Sequence, residues 1–243
     1  MKYFFFLPAL LLACSQPSKV LNEQTIIDYA IEAHGLQSLT GKKIAFDFRE
    51  KHYTMLREDE KFTYTRSFQD SLGFVEDILV NSSDFTRLID GTIFPLDEEW
   101  SDKYSNSVNS VLYFVQLPLT LNDPAAMKTY QGTVEIKGKT YHQIEVRFQE
   151  ADGGKDFEDV FLYWFEKDSF TMDYFAYSYI TDGGGVRFRE AINRNSVSGI
   201  VFQDYINYKP EEKTTPLTEL LSLFKDGKLI ELSRIQNTAI NVE

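Results

Sequence analysis

Few side chains in this 243-residue chain could act as nucleophile, base or metal ligand: three histidines, one cysteine and a scatter of acids. His34, His52 and His142 lack an HExxH-like spacing, and zinc needs three or four converging donors. No GxSxG stretch occurs, so serine-hydrolase chemistry lacks its usual elbow. Asp97-Glu98-Glu99 could serve acid–base chemistry. They also stand where the first turn of a helix carries acids, which is the simpler reading. The stretch 150–159 sets Asp152, Asp156 and Asp159 beside glycines. Hard oxygen donors of this kind suit calcium, but the EF-hand order is missing, and a solvated hairpin loop is preferred. Asp182-Gly-Gly-Gly185 precedes a strand pattern rather than a helix, so it reads as a loop and not a phosphate cradle. In the strand that follows, Arg187 and Arg189 fall on one face. No catalytic residue, resident metal or cofactor is predicted.

Cys14 ends the most apolar run of the chain. Lys2 is a short positive start, Tyr3 to Leu12 an apolar stretch, and Ala13 a small residue. This is the layout of a secretory signal peptide over residues 1–13, too short to span a bilayer. Leu11-Leu12-Ala13-Cys14 resembles a bacterial lipobox. That resemblance implies cleavage before Cys14 and acylation of both its thiol and its new amine. A lone thiol has no disulfide partner here and would be a liability in an oxidising compartment. Several acyl chains of the palmitate type on one residue exceed the two signals needed for durable anchoring. Residues 14–24 then form a lipidated flexible tether. Ser15, not Asp, follows the cysteine, which in enteric lipoproteins favours the outer membrane. No acidic run follows it, which points to the periplasmic face.

Removal of residues 1–13 takes Lys2 and no acid. It leaves 24 basic residues (25 less one) against 37 acidic ones, a side-chain balance of −13. Such a chain repels phosphate backbones, which excludes a nucleic-acid partner. With no cysteine pairs, stability must come from apolar burial. No long low-complexity linker follows residue 24, so residues 25–243 are expected to form a single domain.

The elements that must position any site follow from periodicity. Residues 25–34 (TIIDYAIEAH) place Ile26, Ile27, Ala30 and Ile31 near one helical face, with Gly35 as the residue past the end. His34 then meets unpaired carbonyls at the helix terminus. From KKIAFDFREKHYT to DFTRLID the period is two, an antiparallel meander. Residues 96–116 return to helical spacing, with a break near Ser105-Asn106 allowed by the polar run. Three hairpins follow, turning at Lys137-Gly138, at Lys167-Asp168-Ser169 and near Asn195–Ser198. Pro216 to Phe224 reads as a short amphipathic helix, and residues 229–242 as a last strand. The count is about ten strands and three helices.

The lipobox, the helix ending Ala33-His34-Gly35, the long meander, the stretch Phe161 to Lys167 and Gly199-Ile200-Val201 together carry a resemblance. The chain resembles uncharacterised lipoproteins of Gram-negative bacteria, Bacteroidota in type, with a LolA/LolB-like lipoprotein-carrier fold. The resemblance implies a mainly β (α+β) architecture: a strongly curved antiparallel unclosed barrel with helices over the concave face. No lipoprotein-binding residue of the carriers can be matched in this chain. The strands around Phe157–Phe165 and Tyr174–Tyr179 are apolar on both faces. Helix 96–116 is expected to cover one face, and a ligand, a membrane or the N-terminal segment the other. Trp100, Phe114, Tyr163, Trp164, Phe175 and Tyr177 are the candidates for lining a hydrophobic pocket. Plain core packing is the simpler reading of the same residues. The leading expectation is an anchored envelope protein binding an acyl chain, a lipid or a lipoprotein without catalysis. The alternatives are a self-filled interaction scaffold and, last, a hydrolase.

Overall fold

The computed structural model describes residues 21–58, 61–81, 83–149, 158–180 and 183–243. Cys14, most of the predicted tether, and Asp152 and Asp156 of the acidic loop lie outside the described residues.

Helix α1 (Glu23–Ala33) starts where Asn22 Oδ1 accepts from Thr25 N at 2.8 Å, a side-chain cap for one of the orphan donors of the first turn. It buries Ile26, Ile27, Ala30 and Ile31 on one face. His34 closes it as expected: its ring Nδ1 lies 2.8 Å from the Ala30 carbonyl, a partner that only accepts, so Nδ1 carries the proton. Gly35 turns the chain in the left-handed region, at φ 68°. A Cβ there would stand 1.9 Å from the Gly199 carbonyl oxygen, so only glycine fits. Beside it Val201 N donates to the His34 carbonyl at 2.9 Å. The end of α1 is thereby fastened to the turn before a distant strand.

The strands run in one long antiparallel meander. The first group is β1 (Lys43–Phe48), β2 (Lys51–Glu58), β3 (Lys61–Asp70), β4 (Gly73–Val80), β5 (Asp84–Ile89) and β6 (Thr92–Ile93). Helix α2 (Glu98–Val115) follows. The second group is β7 (Ala126–Ile136), β8 (Lys139–Phe148), β9 (Val160–Glu166), β10 (Met172–Tyr179), β11 (Gly185–Val197) and β12 (Ile200–Lys209). Helix α3 (Leu220–Lys225), β13 (Ile230–Ile235) and β14 (Thr238–Val242) close the chain. Two seven-stranded sheets result, ordered β14-β1-β2-β3-β4-β5-β6 and β13-β12-β11-β10-β9-β8-β7. The chain crosses from the second sheet to the first between β13 and β14. At the opposite side β6 and β7 do not pair, and the barrel stays open. The fold is the mainly β, unclosed antiparallel architecture expected from the sequence.

Among the described residues the strand count is fourteen rather than about ten, for identifiable reasons. KKIAFDFREKHYT is two strands, turned at Arg49 and Glu50, both at left-handed φ (50° and 59°) with no glycine or asparagine to signal it. Residues 229–242 are likewise two strands, which join different sheets. Helix α2 is unbroken at Ser105-Asn106. Ser105 Oγ and Ser110 Oγ donate back to the Asp102 and Asn106 carbonyls, so the polar run remains helical. Its start is as expected, with Asp97 Oδ1 accepting from Trp100 N at 2.9 Å and Glu98 and Glu99 in the first turn.

The inner faces of the two sheets share one core. Ile44, Phe46, Tyr53, Met55 and Tyr64 of the first meet Ile144, Phe161, Tyr163, Phe165 and Phe175 of the second, with α1 and Val108 and Leu112 of α2 between them. The second sheet has another core behind it. Trp164, Tyr174, Phe188 and Tyr141 pack under Leu220 and Phe224 of α3, the Phe188 and Phe224 rings stacked at 4.4 Å. The expected second cover of β9 and β10 is therefore the chain's own C-terminal helix, not a ligand, a membrane or the N-terminal segment. Period-two patterning reports two covered faces but cannot say what covers them.

Candidate functional site

Helix α2 lies over the inner side of the first sheet, and its two halves meet different surroundings. Under the N-terminal half, β3, β4 and β5 each put one charge into an otherwise apolar face. Arg66 Nε donates to Asp77 Oδ2 at 2.9 Å and Arg87 Nε to Asp77 Oδ1 at 2.7 Å. Asp77 is fully buried. Arg66 also donates to Ser107 of α2 at 2.8 Å, and the Arg87 guanidinium lies 3.5 Å from the Tyr104 ring centroid. Burial of these charges is tolerable because each is paired and hydrogen-bonded. The cluster holds the helix to the sheet.

Under the C-terminal half, space opens. A cavity of about 910 Å³ lies between α2, the Leu117–Ala125 connection and the inner faces of both sheets. That volume falls within the range of small-molecule and lipid sites. Gln116 at the end of α2 fixes one wall: its Nε2 donates to Tyr64 Oη (2.7 Å) and to the Leu112 carbonyl (2.8 Å), and its Oε1 accepts from Arg57 Nε (3.1 Å). The opposite wall is the inner face of β9 to β12. There Phe175 and Tyr177 of β10 pair across to Arg189 and Arg187 of β11, and Arg189 pairs to Asn207 of β12. Phe114 of α2 reaches this wall and stacks on Phe175 at 5.6 Å.

Four phenols at the cavity are held neutral near pH 7 by burial. Burial raises Tyr113 and Tyr64, raises Tyr163 well above the ordinary phenol value, and pushes Tyr205 up to about 12. The formal charges on the lining are thus Arg49, Arg57, Arg187 and Arg189 against Asp123 and Asp159. One of its buried polar atoms, Asn207 Oδ1, has no hydrogen-bond partner among the described residues. Buried polar groups are nearly always paired, so such an atom marks a place where a ligand or solvent contributes.

Of the six aromatic candidates, Phe114 and Tyr177 line this cavity. Phe175 and Tyr163 are fully buried in the wall behind them, their rings 5.8 Å apart. The other two lie elsewhere. Trp164 is on the opposite face of β9, under α3, where its Nε1 donates to Gln143 Oε1 at 2.9 Å. Trp100 sits on the first turns of α2, 42% exposed, with its ring 5.4 Å from Tyr104. The sequence places Arg187 and Arg189 on one strand face without assigning either a role, and nothing in it singles out Asn207 or Tyr113. The signal for Arg189 was its place on the same alternation as Arg187, in a strand whose inner face proves to be cavity wall. Of the three acids considered as calcium ligands only Asp159 is described, and it is buried on the cavity lining. No group of three His, Cys, Asp or Glu that could hold a metal occurs among the described residues. No described helix is long and apolar enough to cross a membrane.

Residues 1–237 match the model of a family of unknown function, DUF6503. No curated protein matches the chain. Among solved structures, it is similar to a LolA superfamily protein from Nitrosomonas europaea, with a TM-score of 0.50, 9% identity, and 92% of each chain covered. At that identity the likeness is one of fold. A DUF1329 family protein from Desulfovibrio piger follows at TM-score 0.39 and 11% identity, covering 79% of this chain and 88% of that one. The lipoprotein LppX of Mycobacterium tuberculosis gives 0.29 and 12%, covering 67% and 91%. These last two are too distant in shape to bear on the fold.

Proposed function

This chain belongs to the DUF6503 family of unknown function, so its role must be read from its own geometry: we propose that it is an envelope lipoprotein holding a hydrophobic ligand in the cavity beneath α2. The ligand is an acyl chain, a lipid or the acylated end of another lipoprotein. The observation that carries this reading is the 910 Å³ space left between α2 and two sheets whose inner faces are otherwise closely packed. Protein interiors fill such space with side chains unless something else occupies it. A LolA-like fold supports the same class of role without naming the ligand, since a fold hosts many functions.

In this reading residues 1–13 are a signal peptide, Cys14 carries the acyl anchor, residues 14–24 are the tether, and residues 25–243 form the carrier domain. Placement on the periplasmic side of the outer membrane follows from the lipobox and Ser15. The full chain, purified from membranes and weighed intact under native conditions, is expected to retain one apolar molecule that organic solvent extracts. A chain that retains nothing and takes up no added lipid would overturn the carrier reading. Replacement of Cys14 by Ser is expected to leave the protein out of the membrane fraction. If the variant still fractionates with membranes, the acyl anchor is wrong and the cavity reading is untouched.

A further inference from the structure

A single cross-strand row on the inner face of the second sheet changes character along its length. Ile144, Tyr163, Phe175, Arg189, Asn207 and Ser233 are successive neighbours across β8 to β13. The row is apolar at β8 to β10 and polar at β11 to β13. Arg189 stands at the change. It is only 8% exposed. Its guanidinium lies 4.3 Å from the Phe114 ring centroid, 5.2 Å from Phe175 and 5.3 Å from Tyr177. Its one hydrogen bond is from Nη2 to Tyr177 Oη at 2.9 Å, and its buried Nε has no acceptor. A buried guanidinium carries five N–H donors and is almost always matched to carboxylates or carbonyls.

The described residues around Arg189 supply no ion-pair partner. Among the described residues no carboxylate forms an ion pair with Arg189, nor with Arg187 or Arg57 on the same lining. Arg187 donates to the carbonyl of its own neighbour Val186 at 2.8 Å, and Arg57 to Gln116. Asp123, on the same lining, accepts from Ala125 N at 2.8 Å rather than from an arginine. In a chain of formal charge −12, three unpaired arginines gathered on one cavity are a local inversion of sign. Cations held against aromatic faces, in a low-dielectric pocket with donors left over, are built for an anion.

We propose that the cavity takes an amphiphile with an anionic head group, a carboxylate or a phosphate, with Arg189 as its counter-ion and the acyl chain lying along Phe114, Phe161 and Tyr177. This inference rests on the carrier reading and narrows it. The test is retention of added ligand by the full chain released from neutral detergent into a native mass measurement. The probes are palmitate, an acyl lysophosphatidate and the uncharged hexadecanol, at a pH where both acids are ionised. Wild type is expected to hold one or both anions at least about tenfold better than hexadecanol, the worth of one charge-assisted hydrogen bond. Palmitate alone would identify a carboxylate site, lysophosphatidate alone a phosphate site, and either supports the proposal. Arg189→Met is expected to abolish the preference between palmitate and hexadecanol, and Arg189→Lys to restore part of it. Equal retention of all three probes by wild type overturns the anion inference and leaves the carrier reading standing. Retention of none overturns both. The wild-type comparison decides the matter even if Arg189→Met fails to fold.

Discussion

Arg66 and Arg87 on the first sheet and Arg189 on the second are buried beneath opposite halves of the same helix, and among the described residues only the first pair has a carboxylate. Asp77 accepts from both arginines, and Ser107 and Tyr104 of α2 complete the cluster. Around Arg189 the partners are ring faces and one phenol, with the cavity alongside. The two sites show how a buried charge can be read. When its counter-charge is part of the chain, the charge fastens elements together. When the chain leaves the counter-charge out and leaves space beside it, the charge faces something that arrives.

The largest break in that comparison comes from Asp77→Asn. It leaves two guanidiniums buried without a counter-ion and is expected to destabilise the fold by about 3–5 kcal/mol in urea unfolding. Arg66→Met should cost less, because Arg87 still pairs with Asp77. Equal costs would mean that the three residues are not one cluster. Phe114→Ala comes next. It removes the ring over Arg189 and the lid of the cavity wall, at about 2 kcal/mol of stability, and weakens ligand retention as well. Arg189→Met is expected to change thermal stability least of these while removing anion preference. A loss of stability rivalling Asp77→Asn would make Arg189 a structural clamp like the other two.

The smallest effect is acid dependence, and it belongs to neither arginine site. Burial lowers the His34 ring below its ordinary value of 6.5, although the Ala30 carbonyl pulls the other way, and it lowers His142 as well. The folded state therefore binds fewer protons than the unfolded chain. This stabilisation is complete above pH 6.5 and is lost as pH falls through the folded values. The melting temperature of wild type should drop more steeply below pH 6.5 than that of His34→Gln. Parallel curves would show that His34 does not titrate on unfolding. The preference for anions should be unaffected over the range in which palmitate stays ionised, since arginines do not titrate there.

Much of the scaffold could be read from periodicity. The α1 face of Ile26, Ile27, Ala30 and Ile31, the His34-Gly35 terminus and the acid-rich start of α2 follow local rules that tertiary contacts did not overturn. The turn at Arg49-Glu50 was not legible, because neither residue advertises a left-handed φ. The site was half legible. Phe114, Tyr177 and the wall residues Phe175 and Tyr163 were singled out for size and composition. Trp164 was assigned with them because a strand apolar on both faces does not say which face is inner. Arg66, Asp77 and Arg87 each break an apolar alternation in a different strand, and such a break is the signal of a buried charge. Only the register shows that Asp77 joins the first site and that the cross-strand neighbours of Arg189 are Phe175 and Asn207.

The most direct test of the central claim is to locate an acyl chain on the protein. A fatty acid with a photoreactive diazirine at mid-chain, irradiated with the full chain, is expected to label residues of α2, β9 and β10 that face the cavity, such as Phe114, Phe161 and Tyr177. Label confined to the exposed apolar residues Leu72, Phe74, Ile93 and Phe94 at the outer surface of the first sheet, or to α3, would contradict it.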